Sequence, residues 1–366
     1  MLPQNITGQE CCDMKKIRRE IIRGQVKLAL GFPWLLPESV RSGIFRRWNR
    51  CQRDFTADAY AKDDPAPRPE PPLRLLDLSC TSGFGENVHP DVLYVPEGFG
   101  AGGWRYFMAC TPLPQGVEYF ENPEFLVSMD GLRWHVPNGG ASPLVGAPDD
   151  WIGYNSDPAL YLEDGELSLF YRDYRAYSGY SIIRILVKKT SDAISWSAPK
   201  TLLSYKRPLK EAAVIMSPTI VRSGKLHYMW YVWRNSDGCH RIYRMEAANL
   251  SDWNNPKLVT IEGLPDGEEP WHPDVAAAND GSLVMALCSF PRDLQENKRI
   301  LICKAPCGEG LVWNFNGSFI ERGSHNFGKK SLYKPSIVLN SPIPRIYYSG
   351  QDERDHWQMV CMDITI

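Results

Sequence analysis

The stretch YNSDPALYLEDGELSLFYRD, residues 154–173, contains the pattern that decides the fold of this 366-residue chain. A polar residue and a proline precede a short apolar segment, and an Asp-Gly turn leads into a second segment rich in aromatic residues. Asp-Gly between two such segments is a strong signal for a β-hairpin. Proline is tolerated at the start of a strand, because the N–H that it lacks can be left out of the ladder there.

The same pattern occurs four more times along the chain. The copies are HPDVLYVPEG (89–98), SPTIVRSG (217–224), HPDVAAANDG (272–281) and KPSIVLNSP (334–342). Successive prolines of the five copies are 55 to 68 residues apart, and a third strand follows in each copy. Five antiparallel units of this length predict an all-β protein with a five-bladed β-propeller. A β-sandwich is the alternative, which the regular spacing disfavours.

The ends of the repeat region suggest how the propeller closes. The fifth copy has too few residues for a fourth strand, and LRLLDLSC (73–80) can supply that strand from the other end. Residues 14–31 place apolar side chains at helical spacing with basic residues between them, and residues 37–53 are a second helical candidate. We therefore predict an α-helical basic extension with a Pro-rich linker over residues 1–66, and the propeller over residues 67–366.

Charge and composition limit the classes of partner. The net charge is -2, which gives no global case for nucleic-acid binding, although residues 1–55 carry 11 Lys/Arg against 5 Asp/Glu. The basic segment 14–53 therefore packs on the propeller or contacts a partner protein or an acidic membrane surface. The chain shows no signal-peptide pattern or long apolar run, and its ten cysteines are scattered. These features predict a cytoplasmic protein with free thiols.

The geometry of a propeller indicates where in the repeat a functional site would lie. The innermost strand of each blade begins at one mouth of the central channel, and the loop between strands 2 and 3 returns to that mouth. Side chains alternate along a regular strand, so the residue before each proline and the residue after it point to the same face of the sheet. All of these residues except Ala159 are polar, and an unpaired buried charge is costly, so we predict a functional pocket there. The predicted substrate-binding residues are His89, His272, Asp274 and Lys334 on the strands and Asn122, Arg172, Arg234 and Trp357 in the loops.

Parts of the chain resemble a known class of enzymes. VHPDVLYV, GGWRYFMACTPLP and ENPEFLVSMDGLRW within residues 88–134, together with YNSDPALYLEDGELSLFYR, resemble five-bladed propeller glycosidases of glycoside hydrolase families 43 and 32. The resemblance covers about residues 75–366. It implies a hydrolase that cleaves an oligo- or polysaccharide with paired carboxylates at the channel mouth. One carboxylic acid protonates the leaving oxygen, and the second carboxylate attacks the anomeric carbon or activates water.

The resemblance also implies roles for individual residues. Asp91 on blade 1 corresponds to the base, and Asp157, in its Ser-Asp-Pro context, matches the inner-strand Asp-Pro pattern. The inner-strand Glu of these enzymes is missing, because Ser217 and His272 precede the later prolines. Glu121 is therefore the candidate acid. Asp274 and Glu211 are held in reserve.

Several alternatives stay open from the sequence. The protein can be a non-catalytic glycan-binding propeller, or a scaffold that holds other proteins together. We predict no organic cofactor and assign no definite metal site. A divalent metal in the channel, Zn²⁺ or Ca²⁺, is the alternative, with His89, Asp91, His272 and Asp274 as the candidate ligands.

Overall fold

The computed structural model covers the repeat region almost completely. It describes residues 73–365 except 77, 79–84, 117, 149–152, 178–179, 209–213, 293–297, 307 and 325, and only short stretches between residues 20 and 47. Residues 20–25 are helical, and most of the predicted extension over residues 1–66 lies outside the described residues. The domain boundary between residues 66 and 67 therefore stays a prediction. No helix in this part of the chain is long and apolar enough to cross a membrane.

The described chain consists almost entirely of β-strands joined by tight turns. Single turns of 3₁₀ helix occur at Pro114–Gly116, Glu118–Phe120 and Asn326–Gly328. In chain order the strands are β1 (Leu73–Leu75), β2 (Asn87–Phe99), β3 (Trp104–Pro112), β4 (Glu124–Ser128), β5 (Gly153–Glu163), β6 (Glu166–Ala176), β7 (Tyr180–Thr190), β8 (Lys200–Pro208), β9 (Val214–Ser223), β10 (Leu226–Arg234), β11 (His240–Ala247), β12 (Asn254–Leu258), β13 (Thr260–Glu262), β14 (Glu268–Ala277), β15 (Leu283–Pro291), β16 (Arg299–Ala305), β17 (Val312–Ile320), β18 (Ser331–Val338), β19 (Arg345–Gln351) and β20 (Trp357–Asp363).

These strands form the five predicted blades. Blade 1 is β2-β3-β4, blade 2 is β5-β6-β7-β8, blade 3 is β9-β10-β11-β12, blade 4 is β14-β15-β16-β17-β13, and blade 5 is β18-β19-β20-β1. β1 pairs antiparallel with β20, with Leu73 opposite Met362 and Leu75 opposite Val360. The predicted five-bladed propeller, and its closure by a strand from before the repeats, are therefore confirmed.

Each pair of neighbouring blades encloses its own hydrophobic cluster. Side chains of the second strand of each blade alternate between the two sides of the sheet, so one strand contributes to two clusters. In β3, Tyr106 and Met108 pack toward blade 5, whereas Phe107 and Ala109 pack toward blade 2. Burying a side chain of this size contributes roughly 1.5–3 kcal/mol. The core is therefore distributed around the channel, which leaves the centre to polar side chains.

Polar side chains of the inner strands join neighbouring blades. The residue after the repeat proline accepts a hydrogen bond from a backbone N–H of the next blade, at 2.7–3.1 Å. The pairs are Asp91 with Leu160, Thr219 with Val275, Asp274 with Ile337 and Ser336 with Val92. The equivalent residue of blade 2 is Ala159, which has no side-chain acceptor. These four buried bonds link four of the five blade junctions near the channel.

A charged cluster supports the closure of the propeller. Arg74 on β1 donates two hydrogen bonds of 2.8 Å to Asp363 on β20, and Arg345 donates a third of 3.1 Å. The hydrogen bond from Arg74 is the main reason why the pKa of Asp363 is lowered from its ordinary value. The ionised form therefore stabilises the fold above about pH 4, the unfolded-state pKa of aspartate. This stabilisation is lost as the pH falls through the lower folded-state pKa.

We predict that Asp363→Asn lowers the free energy of unfolding at pH 7, and that its difference from wild type shrinks below about pH 4. Urea-induced unfolding at pH 7, 5 and 3.5 measures both effects. Arg74→Gln serves as the partner in a double-mutant cycle, in which Asp363→Asn should cost less when Arg74 is already absent. A loss of unfolding free energy that is the same at all three pH values would contradict this role. Full additivity of the two substitutions in the double-mutant cycle would contradict it as well.

Candidate functional site

The polar residues that reach the channel mouth are positioned by β-bulges. In every inner strand two residues oppose a single residue of the neighbouring strand, either at the repeat proline or, in blade 4, directly before it. In four blades the residue before the proline also has a positive φ: His89 (55°), Asp157 (51°), Ser217 (47°) and Lys334 (28°). A bulge re-aims the side chain that it carries. Left-handed backbone at a non-glycine residue costs of order 1–3 kcal/mol and is concentrated at functional sites.

His89 and Asp157, together with His272 of blade 4, meet at a cavity of about 400 Å³ at this mouth. A cavity of this size is typical of small-ligand sites. Residues of all five blades line it. Those used below are His89, Glu121, Asp157, Arg172, His272 and Tyr333.

Two imidazoles and a carboxylate form the centre of the cavity. One ligand atom from each of His89, Asp157 and His272 lies within 4.8 Å of the other two. Asp157 Oδ1 is 3.8 Å from His89 Nε2 and 3.5 Å from His272 Nδ1. All three side chains are buried. They come from blades 1, 2 and 4, so the cluster exists only in the assembled propeller.

The hydrogen bonds of Ser217 determine the tautomer of His272. Ser217 Oγ donates its only proton to Asp157 Oδ1 at 2.6 Å, and it also contacts His272 Nδ1. Since the hydroxyl proton is already used, Nδ1–H of His272 must donate to Ser217. Nε2 of His272 then carries a lone pair. This atom is buried and makes no hydrogen bond with the described residues.

The charges of the cluster follow from burial and from its neighbours. Burial lowers the pKa of His89 to about 3 and that of His272 to about 4, so both imidazoles are neutral at pH 7. Burial alone would raise the pKa of Asp157, but His89, His272 and Arg172 hold it well below its ordinary value. Hydrogen bonds from Ser156 (2.9 Å) and Ser217 also stabilise the ionised form of Asp157. Two neutral imidazoles beside one carboxylate have the chemistry of a metal-binding set.

Other sequence-predicted residues also reach this cavity. Glu121 is buried, with Oε2 4.0 Å from His89 Nδ1. Burial, together with the charges of Asp157 and Glu118, raises the pKa of Glu121 well above its ordinary value. Arg172 lies 3.9 Å from Asp157 Oδ2, and Arg234 lines the cavity from the end of β10.

Asn122 and Trp357 lie behind the cavity lining. The Asn122 amide donates to the carbonyl of Tyr119 at 3.2 Å and accepts from Asn155 at 3.1 Å. Trp357 packs with Val88 and Leu113, and its ring centroid is 5.4 Å from that of Tyr333. The structure therefore places both residues as supports of the lining.

The structure does not bring Asp91, Asp274 and Lys334 to this cavity, which corrects the expectation that both flanks of each proline share a face. For Asp91 and Asp274, which follow their prolines, the reason is that each bulge adds a residue and reverses the alternation beyond it. Asp91 and Asp274 line a second channel cavity of about 250 Å³ and accept the interblade hydrogen bonds described above. Lys334 Nζ donates to the Pro90 carbonyl at 3.0 Å and lies 3.6 Å from Asp91. The reserve acid Glu211 lies outside the described residues.

Sequence reasoning missed the aromatic walls of the cavity. Tyr333 places its hydroxyl 3.3 Å from His89 Nε2, and its ring centroid is 4.5 Å from that of His272. Trp271 also lines the cavity, because the bulge of blade 4 falls at Trp271-His272, one residue earlier than in the other blades. Both residues directly precede predicted site residues, so aromatic residues at the start of the inner strands were the available signal. Tyr154 and Tyr174 complete the lining on blade 2.

Comparison with known proteins identifies one relative by sequence. No protein-family model matches the chain. The "A type blood N-acetyl-alpha-D-galactosamine deacetylase" of Flavonifractor plautii is 24% identical over an alignment of 232 residues that covers 53% of this chain. The chain spans 30% of the length of that relative. The crystal structure of an N-acetylgalactosamine deacetylase from F. plautii with blood group B trisaccharide has a TM-score of 0.68 at 16% identity, covering 78% of this chain and 93% of that one.

Glycoside hydrolases share the fold as well. The family 32 β-fructofuranosidase of Bombyx mori matches with a TM-score of 0.54 and 14% identity, covering 87% of this chain and 66% of that one. A thermostable family 43 glycoside hydrolase matches with a TM-score of 0.52 and 14% identity, covering 76% and 88%. These likenesses confirm the predicted resemblance at the level of fold. The chain is a five-bladed propeller of the type found in carbohydrate-processing enzymes.

We predict that Asp91→Ala lowers the free energy of unfolding by about 1–3 kcal/mol, because the buried N–H of Leu160 loses its acceptor. Asp91→Asn keeps an acceptor oxygen and should cost less. Asp266→Ala, at an exposed position, is the control and should change the stability by less than about 0.5 kcal/mol. Chemical unfolding measures all three variants. Unchanged stability in Asp91→Ala would contradict the structural role.

Proposed function

We propose that this protein is a metal-dependent carbohydrate hydrolase that removes the acetyl group from an N-acetylated amino sugar. The observation that carries the proposal is the His89–Asp157–His272 cluster in the mouth cavity. The likeness to the F. plautii deacetylase supports the substrate class. Two imidazoles and one carboxylate match the ligands that Zn²⁺ and related divalent ions prefer. The buried lone pair of His272 Nε2 fits such an ion, because it has no other partner among the described residues.

The chain's own residues have separate tasks in this reaction. His89, Asp157 and His272 would hold a divalent ion, which when bound would polarise a carbonyl oxygen and make water a better nucleophile. Ser217 holds both His272 and Asp157 in place, and Thr111 bonds His89 Nδ1 at 2.9 Å. Such supporting bonds fix the orientation and the tautomer of metal ligands.

The cavity walls handle the sugar and the proton. Trp271 and Tyr174 offer flat faces for a sugar ring, and Arg172 offers hydrogen-bond donors. Glu121 lies beside His89 and can hold the proton that the leaving nitrogen requires. Water adds to the acetamide carbon, the C–N bond breaks, and acetate and a free amine are released. Asp91 takes no part in this proposal.

Glycoside hydrolysis, predicted from the sequence, is the second candidate. Asp157 and Glu121 line one cavity, so two carboxyl groups face the same bound sugar. Paired carboxyl groups are what retaining and inverting glycosidases require. Both candidates make a carbohydrate the ligand, and they differ in the bond that breaks. The cytoplasmic location stays a prediction.

The test separates the two reactions by their products. Full-length protein is incubated with an oligosaccharide ending in N-acetylgalactosamine, and acetate, free amine and new reducing ends are measured. We expect acetate and amine in equal amounts without new reducing ends. Activity should be lost after chelation and restored by Zn²⁺ or Mn²⁺. His272→Gln should lower both metal occupancy and activity by more than about 100-fold.

His135→Gln is the matched control, because His135 is exposed on blade 1 away from the cavity. It should retain metal and activity. New reducing ends without acetate, unaffected by chelation, would instead support the glycosidase with Asp157 and Glu121. Tight binding of the sugar with neither product would support the non-catalytic glycan-binding alternative.

A further inference from the structure

The outermost strand of blade 2, β8, carries two cations at the end of the blade that forms the mouth. Residues that lie opposite one another on the four strands of this blade form rows across the sheet. One row is Ser156, Arg172, Ile185 and Leu203. Another row is Gly153, Arg175, Ile182 and Lys206. The first row contains the cavity residues Ser156 and Arg172. The second row lies three residues nearer to the mouth edge, so Lys206 and its neighbour Arg207 lie at the mouth end of β8, on opposite faces of the blade 2 sheet.

Both cations lie over aromatic rings. Lys206 Nζ is 4.0 Å from the centroid of the Tyr180 ring, which stacks on Tyr177 with centroids 5.1 Å apart. The guanidinium carbon of Arg207 is 4.8 Å from the centroid of the Trp233 ring on blade 3. Such contacts fix the direction of long basic side chains while their N–H groups stay available. The rim therefore combines oriented donors with partly exposed aromatic surface.

The rim is continuous with the cavity. Arg234 follows Trp233 directly, lines the cavity and donates from Nε to the Gly238 carbonyl at 3.0 Å. The basic rim is defined here as Tyr177, Tyr180, Lys206, Arg207, Trp233 and Arg234. A ligand in the cavity that extends over blades 2 and 3 contacts this surface first.

The nearby acids are already paired with other residues. Asp173 pairs with Arg175 and Arg184, and Asp237 pairs with Arg241. The ion pairs of the described residues involve none of Lys206, Arg207 and Arg234. Glu118, an exposed acid that lines the cavity, lies on blade 1. Asp157, the acid of blade 2 inside the cavity, has Arg172 beside it. Among the described residues, the mouth end of blades 2 and 3 outside the cavity therefore carries mainly basic side chains.

We propose that the basic rim binds an acidic sugar next to the residue held in the cavity, so that the substrate is an anionic glycan. This inference rests on the proposed function for the sugar in the cavity. Guanidinium groups recognise carboxylate and sulfate in the same planar, two-donor geometry. Aromatic rings beside them suit the apolar face of a sugar. A nucleic acid would also meet these cations, but Arg234 belongs to both the rim and the cavity, which favours one continuous glycan.

Calorimetry on the full-length protein in chelator tests the inference without turnover. The probes are an unsulfated chondroitin tetrasaccharide, its sulfated form and neutral N-acetylchitotetraose. We expect the acidic tetrasaccharides to bind at least about tenfold more tightly than the neutral one. Added salt should reduce this difference. Comparison of the two acidic forms shows whether carboxylate suffices or sulfate is required.

The double variant Lys206→Gln/Arg207→Gln should bring the ratio of acidic to neutral affinity close to one. Lys225→Gln is the matched control, because Lys225 is exposed in the turn before β10, at the other end of blade 3, and its removal should leave the ratio unchanged. Equal wild-type affinity for acidic and neutral probes, or an unchanged ratio in the double variant, would overturn the inference. Tighter binding of a single-stranded oligonucleotide than of any glycan would assign the rim to nucleic acid instead.

The two proposals fail in different ways. If the protein prefers the acidic probes but releases no acetate, the inference about the basic rim stands and the deacetylase proposal fails. If it releases acetate without that preference, the deacetylase proposal stands and the inference about the basic rim fails.

Discussion

Each of the five inner strands bulges at or beside its repeat proline, and the chemistry of the channel depends on this departure from a regular ladder. Before the proline, His89, Asp157 and His272 turn toward the mouth, whereas the residue after it bonds to the next blade at four of the five junctions. His89 and Asp157 therefore meet, while Asp91 bonds to Leu160. Left-handed backbone at four of these residues costs free energy, which the interblade hydrogen bonds and the packed blade junctions offset.

The fold could be predicted because its signals are local and repeated. The Asp-Gly turn of residues 157–165 and its four relatives mark hairpins, and the missing fourth strand of blade 5 points to β1. The site could be predicted only in part. Asp157, Glu121 and Arg172 were found because the sequence pattern places them toward the same mouth, although Asp157 and Arg172 lie inside β5 and β6. Asp91 was placed at the same mouth by strict alternation, which holds for a regular strand and fails after a bulge.

The bulges themselves have no clear sequence signal. A polar residue before proline is compatible with a regular extended strand as well as with the left-handed backbone found at Asp157. The tautomer of His272 is also invisible in the sequence, because it depends on Ser217, a neighbour from another blade. Chemistry that arises from contacts between blades becomes apparent only when the propeller is assembled.

Because β1 pairs with β20, the propeller can close only after β20 has been synthesised. Residues 73–75 leave the ribosome nearly 300 residues before their partners at 357–363. During that time the first blades present an open edge, and the hydrophobic surface between blades 5 and 1 has no cover. Long-range strand pairing of this kind is slow and leaves the nascent chain exposed to aggregation. Since His89 and His272 lie on blades 1 and 4, the candidate metal ligands come together only late in synthesis.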